Sequence, residues 1–359
     1  MLIKINDVVY NIHFEHCQIE ITGRCNMKCQ HCRAWEEAKV DLPFKDIMNV
    51  MDFFVSENGG FKEQRVTVSG GEPFLNKDLI KILKEIDKRG IKNIIITTNA
   101  SLVTEEKIKE LESLKLPNLS IQVSLDSPIA SEHDAFRGYK GAFENAVKVL
   151  KRCGESSNLV SSMRVSVKPE NIEQIKDMVE LALKLNCDRI GIGSIIPVGR
   201  ACSNQLTMNS IQKKKFIETI TYFRKKYPQL DVTTEDPLKF ALEDFDTWKT
   251  GINQNEMQEE YIVGGCTAGV SGFNVSSDGN ITPCAVFSQN ITNIIGKTIS
   301  EIRDEYSNSE LIKALLLRKH SGKCEKCKLN RICGGCRATA FGVLGDYNAS
   351  DPTCWRVQK

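Results

Sequence analysis

The sequence predicts an α/β fold, in which a parallel sheet or partial barrel is followed by a small cysteine-rich region. Two observations support this prediction. In the first 195 residues, short runs rich in Ile, Val and Thr alternate with longer amphipathic segments, the pattern of parallel strands joined by helices. From Gly264 onward the elements become shorter, glycine becomes more frequent, and seven of the chain's 14 cysteines occur.

Six strands are expected, and each is bounded by polar residues or glycine. Between them, apolar residues recur at helical spacing, as in Phe44, Ile47 and Met51, and we interpret these stripes as core-facing. The six predicted strands are residues 17–22, 65–69, 93–97, 120–125, 162–167 and 189–193.

The later part of the chain predicts one long helix, a connection and a second domain. Residues 209–227 have an apolar face and a lysine-rich face, which we interpret as solvated. Residues 228–261 are acidic and weakly periodic, and we expect them to connect the domains and cover part of a site. The predicted boundaries are 1–235 for the barrel, 236–263 for the connecting segment and 264–359 for the cysteine-rich domain.

Composition limits the functional class. The 359 residues contain 48 Lys+Arg and 46 Asp+Glu, a net charge of +2, which gives no support to nucleic-acid or membrane-surface binding. No apolar run approaches a membrane span, and charges occupy the place of a signal peptide's apolar stretch. We therefore expect a cytoplasmic protein, in which short-spaced cysteines more often bind metal than form disulfides.

The first cysteine group directly follows the first predicted strand. Cys25, Cys29 and Cys32 form C-x3-C-x2-C within eight residues. Three thiolates hold three irons of a [4Fe–4S] cluster and leave the fourth iron open to a substrate or cofactor. Structural zinc prefers four protein ligands, and His31 adjoins Cys32 too closely to complete such a site easily. The spacing therefore favours iron.

This cysteine motif, together with Ser-Gly-Gly-Glu-Pro at residues 69–73, resembles the signature of radical S-adenosylmethionine (SAM) enzymes. The resemblance covers roughly residues 15–200 and implies a partial (β/α)6 barrel of the TIM type. The quoted motifs follow predicted parallel strands, the edge at which sites form in such folds. The resemblance implies that SAM contacts Gly70, Gly71, Glu72, Asn99, Ser124, Asp126, Arg137, Ile192 and Pro197.

Within that set the resemblance assigns different parts of SAM to different residues. Glu72 and its glycines would hold the amino group, Arg137 a carboxylate, and the segment around Ile192 and Pro197 the adenine. From the residues alone, Arg137 is equally a surface salt-bridge partner, because guanidinium groups pair with any nearby carboxylate.

The second cysteine group lies in the predicted C-terminal domain. Asp278-Gly279 is a hairpin signal that would bring Cys266 and Cys284 near one another. The run C-x2-C-x5-C-x2-C follows at residues 324–336, and Cys354 comes last. Two zinc knuckles remain an alternative, since paired C-x2-C motifs also bind zinc.

This second group resembles the SPASM extension of radical SAM enzymes, over residues 264–356. The resemblance implies two auxiliary [4Fe–4S] clusters and therefore three clusters in all. Auxiliary set I would comprise Cys266, Cys284 and Cys336, with its fourth ligand unidentified, and auxiliary set II would comprise Cys324, Cys327, Cys333 and Cys354.

One spacing departs from the usual pattern. Only Gly334 and Gly335 separate Cys333 from Cys336, where three residues are usual. This form resembles two subgroups, the pyrroloquinoline quinone and mycofactocin peptide maturases and the haem and haem d1 side-chain enzymes. The departure bears on the geometry of the clusters.

Four cysteines remain outside these groups. Cys17, Cys153 and Cys187 lie in or beside apolar elements, and we interpret them as buried small hydrophobic residues. Cys202 follows the sixth strand, so it is a candidate hydrogen donor or cluster ligand, with an ordinary structural cysteine as the alternative.

The resemblance implies that a 5′-deoxyadenosyl radical abstracts hydrogen from a carbon of the substrate. The first candidate substrate is a ribosomally synthesised peptide, modified by thioether or carbon–carbon crosslinking, decarboxylation or epimerisation. Only 24 residues precede Cys25, so we expect a separate peptide-recognition protein or direct leader binding. A flavodoxin or ferredoxin would donate electrons.

Two other functions remain as alternatives. One is radical modification of tetrapyrrole side chains, as in haem or haem d1. The other is a non-catalytic iron–sulfur electron carrier or zinc-binding module, and neither of these would cleave SAM.

Overall fold

The structure is a computed structural model that describes residues 1–34, 38–242 and 264–358. Its strands are β1 Leu2–Ile5, β2 Val8–Asn11, β3 His16–Thr22, β4 Arg65–Gly70, β5 Asn93–Thr98, β6 Asn118–Ser124, β7 Val160–Val167, β8 Arg189–Ser194, β9 Asp231–Thr233, β10 Gly272–Val275, β11 Asn280–Thr282 and β12 Thr292–Asn293. Its α-helices are α1 Phe44–Ser56, α2 Leu79–Lys88, α3 Glu105–Ser113, α4 Ala130–Arg137, α5 Ala142–Gly154, α6 Ile175–Lys184, α7 Arg200–Ser203, α8 Ser210–Lys226, α9 Ile299–Asn308, α10 Glu310–Leu317 and α11 Arg337–Leu344.

The strands from β3 onward form one ten-stranded sheet within the described residues, in the order β12-β11-β10-β3-β4-β5-β6-β7-β8-β9. In this order, all neighbouring strands from β10 through β3 to β9 are parallel. The pairs β10–β11 and β11–β12 are antiparallel. The six strands predicted from the sequence are all present, within two residues at their ends. The prediction of an α/β fold with a parallel sheet is confirmed.

Alternation along the strands separates a dry face from a polar one. On β3, Ile19 and Ile21 are fully buried in the main hydrophobic core. On the opposite face, Gln18 donates a hydrogen bond to the Ser69 hydroxyl on β4 (3.0 Å). A strand of a parallel sheet with one polar face is typical of a barrel whose interior holds a site.

The connection predicted over 228–261 contains an additional strand. β9 pairs in parallel with β8, and a 3-10 helix at Pro237–Ala241 follows it. β9 has three residues, of which only Val232 is buried, so it carries too few alternations to be predicted from periodicity. The rest of that predicted connection, residues 243–261, lies outside the described residues. The hairpin of β1 and β2 was likewise not predicted.

The predicted hairpin around Asp278-Gly279 is confirmed, because β10 and β11 flank it and pair antiparallel. β10 also pairs in parallel with β3, so the sheet continues across the predicted domain boundary at 264. The Phe273 ring packs edge-on against Phe14, with 4.8 Å between centroids. The C-terminal region therefore shares the main core with the barrel.

The three cysteines interpreted as core residues are indeed buried. Cys17 and Cys153 are fully buried, and Cys187 is 7% exposed. Burial raises the pKa of Cys153 to about 12 and that of Cys187 to about 11. Protonated, inaccessible thiols of this kind are unreactive. No helix within 1–34, 38–242 or 264–358 is long and apolar enough to span a membrane.

Candidate active site

The first three cysteines lie in one loop between β3 and α1. Cys25 is exposed, Cys29 is buried, and Cys32 is partly buried. Although Cys25 is exposed, desolvation of its thiol by the surrounding loop raises its pKa, and the nearby thiols of Cys29 and Cys32 act in the same direction. The Cys32 N–H donates to the Cys29 carbonyl (3.3 Å), a turn that keeps these two thiols close. The loop therefore gathers three thiols at the carboxyl end of the sheet.

The glycines after β4 hold the backbone against this loop. Gly71 donates its N–H to the Thr22 carbonyl (2.7 Å), and Glu72 donates its N–H to the Arg24 carbonyl (2.8 Å). A Cβ on Gly71 would lie 2.0 Å from the Arg24 carbonyl oxygen, and a Cβ on Gly70 would lie 2.1 Å from that of Thr22. Only glycine permits this approach.

The Glu72 carboxylate is fully buried. It accepts hydrogen bonds from the Thr98 hydroxyl (2.7 Å) and from the N–H groups of Asn99 (2.8 Å) and Phe74 (3.2 Å). Burial raises its pKa, although these donors oppose the shift. Glu72 thus ties the end of β4 to the end of β5. Its predicted contact with the amino group of SAM remains a prediction.

Asn99 reaches the cysteine loop from β5. Its amide nitrogen donates to the Asn26 side-chain oxygen (3.0 Å) and approaches the Cys25 thiol (3.9 Å). Its side-chain oxygen accepts from the Ser101 N–H (3.0 Å), which fixes the amide orientation. The structure therefore brings Asn99 to the cysteine loop.

Asp126 and Arg137 form a buried ion pair beside the loop. The Arg137 Nε donates to the Asp126 carboxylate (2.6 Å), and its Nη1 approaches the Cys29 thiol (3.8 Å). The second Asp126 oxygen accepts from the Ser166 N–H (2.8 Å). Burial alone would raise the pKa of Asp126, but Arg137 lowers it below its ordinary value. Arg137 is therefore a salt-bridge partner, buried rather than on the surface, and its predicted role as a carboxylate clamp remains a prediction.

The remaining predicted SAM contacts lie in different surroundings. Ser124 ends β6 and is 9% exposed, opposite Arg164 of β7 in the strand register. Ile192 is fully buried in the main core. Pro197 is buried, and its carbonyl oxygen lies 2.4 Å from the position of a Cβ on Gly342 of α11. The structure brings Ser124 to the strand ends and sets Ile192 among the helix-facing core residues.

The turn between β8 and α7 supports the other side of the cysteine loop. The Arg200 N–H donates to the Cys32 carbonyl (3.1 Å). Gly199 has a φ of +55°, and a Cβ there would lie 2.5 Å from the same carbonyl oxygen. Helix α7 begins at this turn, and Cys202 is exposed on it. A catalytic role for Cys202 remains a prediction.

Charged groups line the barrel interior, and the sequence reasoning missed them. Arg33 pairs with the fully buried Glu20 of β3 (2.5 Å). A Cβ on Gly193 would lie 2.6 Å from the Arg164 guanidinium, so this glycine makes room for it. Burial opposes ionisation of Glu235, but Arg164 and then His16 lower its pKa. Polar residues at alternate positions of β7 were the available signal.

Auxiliary set I lies close together. Burial raises the pKa of Cys284, and the neighbouring Cys266 and Cys336 thiols raise it further. Burial likewise raises the pKa of Cys336 to about 12, and Cys266 acts in the same direction. The Asp351 carboxylate accepts from the Cys336 N–H (2.7 Å). The three thiols that the sequence assigned to this set are therefore neighbours in space.

The four cysteines of auxiliary set II line one small cavity, which Leu238 and Ala241 close from the 3-10 helix after β9. The Cys333 thiol approaches the Pro237 carbonyl (3.4 Å). These contacts connect the segment after β9 to the C-terminal region.

Buried arginines with unused donors lie near set II. Within the described ranges, Arg331 Nη1 and both Arg337 Nε and Nη2 are buried without a hydrogen-bond partner. Burial lowers the pKa of His320 to about 3, and Arg337, Arg318 and Arg331 lower it further. Unpartnered buried cationic donors are costly unless an anion faces them. This surrounding fits a negatively charged, thiolate-bound cluster.

All 14 cysteines are free thiols. Among the described residues, no three Cys, His, Asp or Glu side chains have already converged to metal-ligating geometry. The chain thus assembles the sets by backbone placement, and the donor types fit iron–sulfur clusters. The number of clusters remains a prediction.

A buried ion pair links the barrel to set I. Lys213 of α8 donates to the Asp236 carboxylate (2.7 Å) and to the Ser194 hydroxyl. Both charged side chains are nearly inaccessible, so the interpretation of the lysine-rich face as solvated was wrong for Lys213, which its pairing with Asp236 holds inside the protein. Burial opposes protonation of Lys213, but Asp236, with smaller contributions from Asp351 and Cys336, raises its pKa. The pair therefore lies within electrostatic reach of the auxiliary region.

A parallel barrel with three thiols gathered at its carboxyl edge defines the class of an iron–sulfur barrel enzyme. Residues 19–182 match the family described as the Radical SAM superfamily. The chain therefore contains a radical SAM domain, and relatives that are named as enzymes support the prediction of an enzyme.

Similar proteins span nearly the whole chain. The AdoMet-dependent heme synthase of Methanosarcina barkeri is 27% identical over 345 residues, covering 93% of this chain and 94% of that protein. The PqqA peptide cyclase of Rhizobium meliloti is 24% identical over 349 residues, covering 94% of this chain and 86% of the cyclase.

Among solved structures, Streptococcus suis SuiB bound to S-adenosylmethionine has a TM-score of 0.74 at 20% identity, covering 96% of this chain and 77% of SuiB. SuiB bound to the precursor peptide SuiA has a TM-score of 0.73 at 21% identity. At this level of identity the likeness shows the fold.

Proposed function

We propose that this radical SAM enzyme modifies a ribosomally synthesised peptide. The observation that supports radical chemistry is the backbone contact between the cysteine loop and Gly70–Glu72, which keeps the loop of the three thiols against these residues. When bound, the reduced [4Fe–4S] cluster and SAM supply a 5′-deoxyadenosyl radical that removes hydrogen from a substrate carbon. Cys25, Cys29 and Cys32 would bind that cluster.

The chain's own residues orient the reactants. Gly70, Gly71 and Glu72 would present backbone groups to the amino group of SAM, with Asn99 beside them. Ser124, Asp126 and Arg137 would face the ribose and carboxylate, and the turn at Pro197 the adenine. The Ile192 side chain is fully buried in the core, so this residue would contribute backbone groups only. Arg137 also places a positive charge near Cys29, which favours the thiolate that binds metal.

Two auxiliary [4Fe–4S] clusters complete the proposed cofactors. Set I is at the junction of the barrel and the C-terminal region, within reach of the Lys213–Asp236 pair. Set II is enclosed in its own cavity near buried arginines. An enclosed cluster suits electron transfer, and a cluster at the junction suits contact with substrate. A flavodoxin- or ferredoxin-type protein would supply electrons in the cytoplasm.

The peptide substrate draws support from similarity. SuiB, whose fold this chain shares over 96% of its length, has been determined with a precursor peptide. A relative named PqqA peptide cyclase aligns over 94% of the chain. We propose a precursor peptide as the partner, presented by a separate recognition protein or bound directly.

A second candidate is modification of tetrapyrrole side chains. The relative named AdoMet-dependent heme synthase aligns over 94% of its own length. Arg164 of β7 lies opposite Ser124, which ends β6, and close to Glu235. An arginine so placed would bind a propionate carboxylate of a porphyrin.

The first experiment measures iron, sulfide and zinc per chain after anaerobic purification and reconstitution, together with cleavage of SAM to 5′-deoxyadenosine. About twelve irons are expected from three clusters. Cys29→Ser should abolish SAM cleavage, and the matched control Cys153→Ser, at a buried core thiol, should retain it. Zinc in place of iron, or cleavage unaffected by Cys29→Ser, would contradict the proposal.

Substrate class is decided by supplying each candidate to the active enzyme. A precursor peptide should be converted to a product of altered mass, whereas an iron porphyrin with propionate side chains should return unchanged. Loss of carbon dioxide from the porphyrin, with no change in any peptide, would favour the second candidate.

A further inference from the structure

A buried arginine lies between the two auxiliary cysteine sets, and the proposed function assigns it no role. Arg318 ends α10 in the left-handed conformation (φ 48°) and is 4% exposed. A charged residue is almost never fully buried unless it is paired, and a side chain other than glycine rarely adopts this backbone conformation. The surroundings of Arg318 must therefore hold it there.

The guanidinium of Arg318 binds three backbone carbonyls. It donates to the carbonyl oxygens of Gly264, Cys266 (3.0 Å) and Asn330. Gly264 and Cys266 belong to the segment that begins set I. Asn330 belongs to the loop of set II, between Cys327 and Cys333. One rigid fork of donors thus spans two segments that are more than fifty residues apart in the sequence.

The two segments also contact each other directly. The Cys266 N–H donates to the Cys333 carbonyl (3.0 Å). A Cβ on Gly265 would lie 2.0 Å from that carbonyl oxygen, and a Cβ on Gly334 would lie 3.0 Å from the Arg318 Cζ. Gly334, one of the two glycines between Cys333 and Cys336, therefore leaves room for the Arg318 guanidinium.

The charge of Arg318 acts on both sets. Burial lowers its pKa to about 10, while Cys266 and Cys333 act in the opposite direction. The guanidinium therefore stays protonated at neutral pH. Cys266 belongs to set I and Cys333 to set II, so a single positive charge lies within electrostatic reach of a thiol in each set.

We propose that Arg318 is a positioning residue that couples the two auxiliary sites: it clamps the Cys266 and Cys333 segments together and offsets negative charge at both. The charge part of this inference rests on the proposed function, because it requires a cluster at each set. The clamp requires only the hydrogen bonds above.

The test uses the anaerobically reconstituted enzyme with Arg318→Met and Arg318→Lys. Hydrogen exchange measures the clamp in peptides covering residues 264–270 and 330–336. Redox titration followed by EPR measures the auxiliary clusters in a background with Cys25, Cys29 and Cys32 replaced by Ala. The matched control is Arg303→Met, since Arg303 pairs with Glu57 (2.5 Å) away from both sets.

We expect Arg318→Met to speed hydrogen exchange in both peptides, because the backbone carbonyls of both segments lose the guanidinium that binds them. Both auxiliary clusters should become harder to reduce, by about tenfold in the reduction equilibrium, or about 59 mV for one electron. Arg318→Lys should keep the potentials near the wild-type values while exchange remains fast, since an ammonium lacks the planar fork. Arg303→Met should change neither.

Unchanged exchange in both peptides, or a change confined to one set, would overturn the coupling. Unchanged potentials in Arg318→Met would overturn the charge effect. Fewer than eight irons in the triple-Ala background would contradict the proposed auxiliary clusters instead, and exchange alone would then decide whether the clamp exists. Iron content and exchange thus separate failure of this inference from failure of the proposed function.

Discussion

The cysteine loop of the barrel and the auxiliary region surround their candidate metal-binding thiols in different ways. The loop holds the exposed Cys25 against glycine backbone and a neutral Asn99 amide, with Arg137 as the charged neighbour of Cys29. The auxiliary region encloses set II in a cavity near buried arginines. An open edge permits SAM and substrate to approach, whereas an enclosed, cationic surrounding favours electron storage.

The same contrast appears in how each region is held. Backbone hydrogen bonds from Gly71 and Glu72 support the loop. Arginine side chains that bind carbonyls support the auxiliary region, as Arg318 does. Backbone support tolerates no Cβ, and side-chain support tolerates no loss of charge. The predictions below test each kind of support.

The largest expected effect is at the junction between the two regions. Lys213→Met leaves the Asp236 carboxylate buried without its cation, and this should lower the free energy of unfolding by about 3–5 kcal/mol. Anaerobic urea denaturation of the reconstituted enzyme measures it. Lys215→Met, which removes an exposed pair with Glu173, is the control and should cost less than about 1 kcal/mol. Equal losses in the two variants would show that the buried pair contributes no more to stability than the exposed pair.

The next effect tests backbone support at the open edge. Gly71→Ala places a methyl group 2.0 Å from the Arg24 carbonyl and must displace the cysteine loop. A shift of about 1 Å should reduce SAM cleavage by about 100-fold. Gly90→Ala is the control, because a Cβ there meets nothing within 4 Å, although Gly90, unlike Gly71, has a positive φ. Wild-type cleavage rates in Gly71→Ala would disprove the close approach.

The smallest effect concerns pH near the open edge. Burial lowers the pKa of His133 from 6.5 to about 4, and its Nδ1 accepts from the Asp126 N–H (3.1 Å). Below about pH 6.5, His133 is therefore protonated in the unfolded chain, whereas in the folded protein it stays neutral down to about pH 4. Folding stability from this group is present above pH 6.5 and is lost as the pH falls towards 4.

His133→Asn keeps an acceptor at the same place and removes the titration. Between pH 7 and pH 5, the wild-type protein should lose about 2 kcal/mol more unfolding free energy than this variant. Denaturation at pH 7 and pH 5 measures the difference. The interval from pH 7 to pH 8 is the reference, in which the unfolding free energies of the two proteins should change by the same amount. Parallel behaviour down to pH 5 would refute the assignment.

The sequence predicted the features that depend on neighbours along the chain. Short runs rich in Ile, Val and Thr located the six strands, and Asp278-Gly279 located the hairpin between β10 and β11. The spacing of Cys25, Cys29 and Cys32 after a strand identified the family, and Cys17 in an apolar run was correctly expected to be buried. Each of these signals is a local period or a short motif, which hydrophobic burial and turn geometry impose directly.

Only the tertiary structure showed which distant groups meet. β9 was missed because its three residues bury only one side chain. The sequence left open whether Arg137 is a carboxylate clamp or a surface salt-bridge partner, whereas in the structure its Nε binds Asp126 inside the protein. Arg318 binds a carbonyl 52 residues away, and Arg164, more than 70 residues from Glu235 in the sequence, lowers the pKa of that carboxyl. The sequence by itself determined the strands, the motifs and the family, because these follow from local patterns. The charge partners were decided by the fold, since the pairing of two distant groups depends on chain topology, which leaves no local pattern in the sequence.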